Sequence, residues 1–294
     1  MVMRTQTFGV EVEMTGITRK GAAKVAADFF GSTAEYIGGG YDKYGAKDST
    51  GRVWAFGSDS SIRIERKNGK PAEAVELVTP ILHYEDIETL QELIRRLRKA
   101  GALTNNSCGI HVHVGADQHT PRSLRNLVNI FTSKQDIIFK ALAVDPNRAR
   151  FCKKLESGLS QSINKQRPEN LNGVADIWYA GYSGSRDTHY NQSRYHAVNL
   201  HAVFTKGTVE FRCFNSTLHA GKVKTYIQFC LAISHQAIMQ KSSSAKVTVS
   251  DNEKYTFRCW LLRMGLTGDE FATARKFLLE NLEGDIAWRH GESA

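Results

Sequence analysis

Three short stretches of the sequence each carry two chemically unusual residues two positions apart: Glu11 and Glu13 in FGVEVEM, His111 and His113 in GIHVHVG, Glu210 and Arg212 in TVEFRCF. Alternate residues of a β-strand point to the same face. Each pair therefore shares one face, while Val12, Val112 or Phe211 between its members faces the other. A fourth run, AVELV, adds Glu76 between Val75 and Leu77, and a fifth, RYHAVNLHA, carries Asn199 and His201 around Leu200. Taken singly, such pairs read as solvated strand faces or, for Glu210 and Arg212, as a surface ion pair worth under ~1 kcal/mol. A face chosen only for solubility would be mixed in Lys, Thr, Ser and Gln. If these strands share one sheet, the carboxylates, imidazoles and guanidinium gather on a single face instead. Crowded carboxylates raise one another's pKa unless a cation neutralises them. Hard oxygen donors favour magnesium or manganese, and zinc is disfavoured with no thiolate among them. An arginine on the same face suits phosphate chemistry, in which metals bridge phosphate oxygens and arginine stabilises the developing charge.

These pairs need strands to position them. Period-two alternation predicts a strand over 6–14, and the text after it a helix over 19–30 stopped by Gly31. The run GGGY opens an irregular region reaching Gly51. Strands are expected at 53–56, 61–66 and 72–79, the last two joined by a hairpin at Asn68-Gly69 and the last ended by Pro80. A stripe of Ile87, Leu90, Leu93, Ile94 and Leu97 marks a helix over 84–100. Residues 110–115 form a strand, followed by a helix over 120–142 with Thr120 as cap and Pro121 in its first turn. The polar, Asn- and Gly-rich segment 146–192 carries one or two short helices, and its Trp178, Tyr179, Tyr182 and Tyr190 suit a lid or an acceptor groove. Two strands at 194–204 and 208–214 meet at a Lys206-Gly207 hairpin, and helices follow at 222–240, 253–264 and 269–282. Hairpins outnumber crossover units, which predicts an α+β fold, a curved antiparallel or mixed sheet with helices on one face. Residues 1–240 are expected to form the catalytic domain, with 241–294 a helical extension packed on it.

Composition narrows the class. The 294 residues are 41% hydrophobic and 23% charged, a globular rather than a disordered or membrane composition. Five prolines exclude a Pro-rich linker. The five cysteines are odd in number, form no CxxC pair, and follow an N-terminus that reads into a strand rather than an export signal. Reduced thiols in a cytoplasmic protein are expected, and no membrane partner. The balance of 39 Lys+Arg against 30 Asp+Glu, +9, suggests an anionic partner such as an acidic peptide.

The local text resembles known enzymes. NNSCGIHVHV at 105–114 resembles the Gly-x-His-x-His strand of glutamine synthetases and the related strand of glutamate–cysteine ligases; FGVEVEM and GTVEFRCF resemble their Glu-x-Glu and Glu-x-Arg strands. With Trp54 and SDSSI at 58–62, AVELVTPIL at 74–82 and RYHAVNLHA at 194–202 in order, residues 6–218 resemble the amidoligase family, a bacterial and phage branch of the carboxylate–amine ligases. The resemblance implies a glutamine-synthetase-like fold whose concave sheet face binds ATP with magnesium or manganese, the helices packing on the convex face. It implies metal ligation by Glu11, Glu13, Glu76, His111 and Glu210, and nucleotide contacts by His113, Arg212 and Asn199. Glu13, Glu210, Arg212 and Arg194 would carry catalysis. Asp59, Arg194 and Asn199 would face the substrate, with Ser60 standing where the family often has Gly.

The activity so implied is ATP-dependent C–N bond formation. A carboxylate becomes an acyl phosphate, an amine attacks it, and an amide or isopeptide bond results with ADP and phosphate. The carboxylate and amine substrates would be amino acids, peptides, proteins or wall fragments. Two alternatives stand beside it: an ATP-dependent phosphotransferase on the same sheet, and a metal-dependent nucleic-acid-processing enzyme. The second lacks the regular interleaving of aromatic and basic residues that single-strand binders use, so nucleic acid is not the expected partner.

Overall fold

The computed structural model describes residues 3–287. The chain enters strand β1 (Phe8–Met14), whose alternation buries Phe8, Val10, Val12 and Met14 together. Helix α1 (Arg19–Phe30) starts where the Thr18 hydroxyl accepts the Gly21 N–H, and stops at Gly31, left-handed at φ 69°. Strands β2 (Glu35–Gly38), β3 (Lys43–Lys47) and β4 (Val53–Gly57) form a meander that leads through an irregular loop to β5 (Val75–Val78). Helix α2 (Ile87–Lys99) buries the predicted stripe of Ile87, Leu90, Leu93, Ile94 and Leu97. Strand β6 (Gly109–Gly115) is followed by α3 (Pro121–Ala141), which opens on a Thr120–Ser123 capping box. Short helices α4 (Ser157–Gln166) and α5 (Leu171–Trp178) cross the polar stretch. Then come β7 (Val198–Asn199), α6 (His201–Lys206) and β8 (Thr208–Asn215). Helices α7 (Ala220–Met239), α8 (Glu253–Arg263) and α9 (Ala272–Leu279) follow.

The eight strands among the described residues join one open antiparallel sheet in the order β2-β3-β4-β5-β1-β6-β8-β7. This is the α+β class read from the hairpins. One side of the central strands (Val10, Val12, Val112, Val114, Phe211) belongs to a single hydrophobic core with the buried faces of α1, α2, α3 and α7. Each such fully buried aliphatic or aromatic side chain is worth roughly 1.5–3 kcal/mol. Phe257, Trp260 and Leu261 of α8 and Leu278 of α9 enter that same core, while the segment before α8 ties to α3 through Asn129 and Ser133. Residues 288–294, the end of the expected C-terminal extension, lie outside the described residues. Among the described residues no helix is long and apolar enough to cross a membrane.

Register decides which side chains meet. Glu11 stands opposite His111, Glu13 opposite Glu76, His113 opposite Glu210, and Asn199 opposite Glu210. Between the pairs Val112–Phe211 and Ile110–Phe214 the β8 side has one residue more than the β6 side, a bulge. The bulge lets Arg212 keep to the polar face while Phe214 returns to the core, 0% exposed.

Three expectations fail, each for a local reason. Residues 61–66 do not form a strand. The Arg63 N–H donates to Ser107 Oγ and the Glu65 N–H to Thr15 Oγ1, so side chains take the places of a ladder. The turn beyond them does form, with Asn68 and Gly69 at φ 52° and 67°. The region from GGGY to Gly51 is not wholly irregular; it holds β3, which pairs with the exposed β2 just before it, and neither strand shows an apolar alternation to read. The 194–204 strand shrinks to Val198–Asn199, because Asn199 Oδ1 accepts the His201 N–H at 2.8 Å and turns the chain into α6. Lys206-Gly207 is therefore a helix end, Gly207 being left-handed at φ 69°, rather than a hairpin.

Candidate active site

The polar face of β1, β5, β6 and β8 collects the paired residues. Glu11 Oε2 lies 2.9 Å from His111 Nδ1, and Glu11 Oε1 lies 3.2 Å from His113 Nε2. His111 Nε2 is 3.7 Å from Glu13 Oε1. Glu210 Oε1 sits 3.7 Å from both His111 Nδ1 and His113 Nε2, and accepts a hydrogen bond from Arg212 Nη1. Its other oxygen accepts from Asn199 Nδ2. Arg212 Nε donates to the Phe151 carbonyl at 3.2 Å. Glu13 Oε2 accepts the Gly109 N–H.

Burial and charge set the protonation of this cluster. Burial pushes the Glu13 carboxyl up to about 7, against the pull of Arg148 and the Gly109 N–H. Burial also raises Glu76 well above the carboxylate range, and the neighbouring Glu11, Glu13 and Asp59 raise it further. At Glu11 burial acts the same way, but His113 and His111 prevail and hold it well below the usual range. Burial opposes Arg212 and His113 at Glu210 too, and there they win. His111 is pushed down to about 4 by burial and by Arg212. The protein thus fails to neutralise its own carboxylates at Glu13 and Glu76.

These residues fit a divalent cation. Three sets of potential donor atoms lie within 4.8 Å of one another: Glu11, Glu76 and His111; Glu11, His113 and Glu210; Glu13, Asp59 and Glu76. His113 Nε2 is buried without a hydrogen-bond partner, out of line with Glu11, while its Nδ1 lies 3.0 Å from the Thr208 hydroxyl. An imidazole oriented through one nitrogen with the other unpartnered among carboxylates is a metal ligand's arrangement. The donor set, mostly oxygen with imidazole and no thiolate, suits magnesium or manganese.

Two cavities meet at Glu11. A cavity of about 450 Å³ is lined by Glu13, Glu76 and Asp59 together with Arg148, Arg212 and Tyr195. The second, about 360 Å³, is lined by Gly9, Gly115, Val78, Pro80 and Lys206. Arg194 closes a wall of the first, its Nη1 donating to the His189 carbonyl and its guanidinium over the rings of Tyr190 and Tyr195. Of the aromatic residues expected to form a lid, Trp178 and Tyr179 are buried in the core; Tyr190 is exposed, its hydroxyl 2.7 Å from that of Tyr41, and both line the larger cavity.

Glu11, Glu13, Glu76, His111, His113, Asn199, Glu210 and Arg212 thus share one face, and Asp59 reaches it from the loop after β4. His201 does not; its Nδ1 lies 2.6 Å from the Tyr179 hydroxyl. Two cations escaped the sequence reading. Lys206 Nζ lies 3.5 Å from Glu11 Oε1, and its place just before the Glu-x-Arg strand was a usable signal. Arg148, buried beside Glu13, ends a single 3₁₀ turn in the polar segment, where no periodicity marks it.

A family model described as "Putative amidoligase enzyme" matches residues 4–234. No curated protein matches the sequence.

Proposed function

The chain belongs to the amidoligase family, and from that premise we propose that it is an ATP- and magnesium-dependent ligase joining a carboxylate to an amine through an acyl phosphate. The observation that carries the reading is the chain of three overlapping donor sets, with Arg212 beside Glu210 at one end and Asp59 at the other. Phosphoryl transfer asks the protein for charge neutralisation and positioning more than for covalent chemistry. Magnesium or manganese held by Glu11, Glu13, Glu76, His111, His113 and Glu210 would supply positive charge to the phosphate oxygens.

The two cavities suit the two halves of the reaction. Gly9 and Gly115 leave the sheet bare, with Val78 and Pro80 as apolar walls. That floor fits a flat base and brings the phosphates over Glu11, His113 and Lys206. The acid substrate then occupies the larger cavity. Arg212 stabilises the equatorial oxygens of the transferring phosphoryl group, with Asn199 fixing the Glu210 carboxylate. Arg194, at the wall, meets substrate, and Asp59 takes the proton of the attacking amine. The cavity must exclude water, since an acyl phosphate hydrolyses. All five cysteines are free thiols, in keeping with a cytoplasmic enzyme. The acid and amine are amino acids, peptides or wall fragments, and the positive balance favours an acidic one.

The test is a screen of amino acids and peptides for magnesium-dependent ADP release, with mass spectrometry of the products. A joined product lighter than its two substrates by one water supports the ligase. A phosphorylated but unjoined product would move the assignment to a phosphotransferase.

A further inference from the structure

Arg148 stands on the wall of the larger cavity with its side chain 3% exposed. A guanidinium presents five N–H donors, and burying it is costly unless they are matched. Here they are not. Nη2 reaches the Arg212 carbonyl at a long 3.4 Å, and Nε is buried with no partner. Nη1 is 3.8 Å from Glu13 Oε2, beyond hydrogen-bond reach. The two other arginines of the cavity are better matched. Arg212 donates to Glu210 and to the Phe151 carbonyl, and Arg194 to the His189 carbonyl.

The neighbouring strand has made room for this group. A Cβ at Gly109 would stand 2.0–2.3 Å from the Nη2, Nη1 and Cζ atoms of Arg148. Gly109 is not among the positive-φ glycines. Backbone conformation therefore does not demand a glycine there; the guanidinium does. A cation held in so specific a cradle, and short of acceptors, is arranged for an anion from outside.

We propose that Arg148, cradled by Gly109, binds the carboxylate of the acid substrate. The role of that acid rests on the ligase reading above; the anion site itself does not. The experiment uses the full chain in EDTA, without nucleotide, titrated with acetate and with L-glutamate while the arginine Nε–H signals are followed by NMR. The Arg148 signal is assigned by its loss in Arg148→Lys. We expect it to shift saturably with either carboxylate and not with sodium chloride at matched ionic strength. Gly109→Ala should move the signal in the free protein and weaken carboxylate binding at least about tenfold, because the displaced guanidinium is the flexible end of a side chain. An Arg148 signal that ignores both carboxylates, or answers chloride equally, overturns the proposal. So does unchanged affinity in Gly109→Ala. Once a substrate pair is found, Arg148→Lys should raise KM for the acid at least about tenfold with KM for ATP unmoved. Ligation with an unchanged acid KM would sink the carboxylate site and leave the ligase standing. Carboxylate binding at Arg148 in a protein that ligates nothing would sink the ligase and leave the site.

Discussion

His113 and His119 lie six residues apart and are both buried, yet their surroundings are opposite. His119 has a neutral partner at each ring nitrogen, Ser123 Oγ at 3.0 Å and Ser234 Oγ at 2.9 Å. Ser234 in turn donates to Gln6, whose amide donates to the Met3 and Leu231 carbonyls. That network is closed, and it ties α3 and α7 to the N-terminal segment. His113 faces the Glu11 and Glu210 carboxylates with one nitrogen unpartnered, in a cluster that also holds Glu76, pushed well above the usual carboxylate range by burial and by its acidic neighbours. Buried polar groups that satisfy one another stabilise a fold; buried like charges that do not are costly. The difference marks the first cluster as structure and the second as a place kept for ligands.

The largest expected effect comes from altering the second cluster. Glu13→Gln keeps an acceptor for the Gly109 N–H and removes a ligand. Turnover should fall at least about a thousandfold, near 4 kcal/mol of transition-state stabilisation, with the circular dichroism spectrum unchanged. A variant with full activity removes Glu13 from the mechanism.

The next effect is on stability. Magnesium or manganese added to EDTA-treated protein should raise Tm by roughly 5 °C at a hundredfold excess over Kd. Glu13, near 7 in the folded chain, must lose its proton to ligate, so metal affinity should rise as pH increases through about 7. Isothermal titration at several pH values checks this, and an affinity indifferent to pH would contradict the ligand set.

The smallest effect belongs to His119. Burial holds it down to about 4, against 6.5 when free. A group whose folded pKa is depressed in this sense is neutral when folded and takes up a proton on unfolding. Its contribution is full above about 6.5 and is lost as pH falls toward 4, about 2 kcal/mol by pH 5. Urea unfolding of the wild type and His119→Gln at neutral and acidic pH should show a flatter pH dependence in the variant. Equal slopes would remove His119 from the acid sensitivity.

Much of the site was legible because strands write their faces with period two. Glu11, Glu13, His111, His113, Glu210 and Arg212 declared a shared face through Val12, Val112 and Phe211. Asn199 was found on a strand that proved only two residues long, and His201 was misplaced because a turn closed by the Asn199 side chain outcompeted the ladder. Strands β2 and β3 went unread, β2 being exposed and neither carrying an apolar alternation, so that pairing rather than an apolar face makes them strands. Arg148 had no pattern at all.

Local order, then, belongs to the sequence: residue spacing settles which side chains leave a strand together, and turn and cap chemistry settles where α1, α2 and α3 begin or end. Strand neighbours, the bulge that turns Arg212 and Phe214 to opposite faces, and the meeting of Arg148 with Gly109 came only with the tertiary structure. These depend on contacts between residues far apart in the chain, whose partners no local periodicity can name.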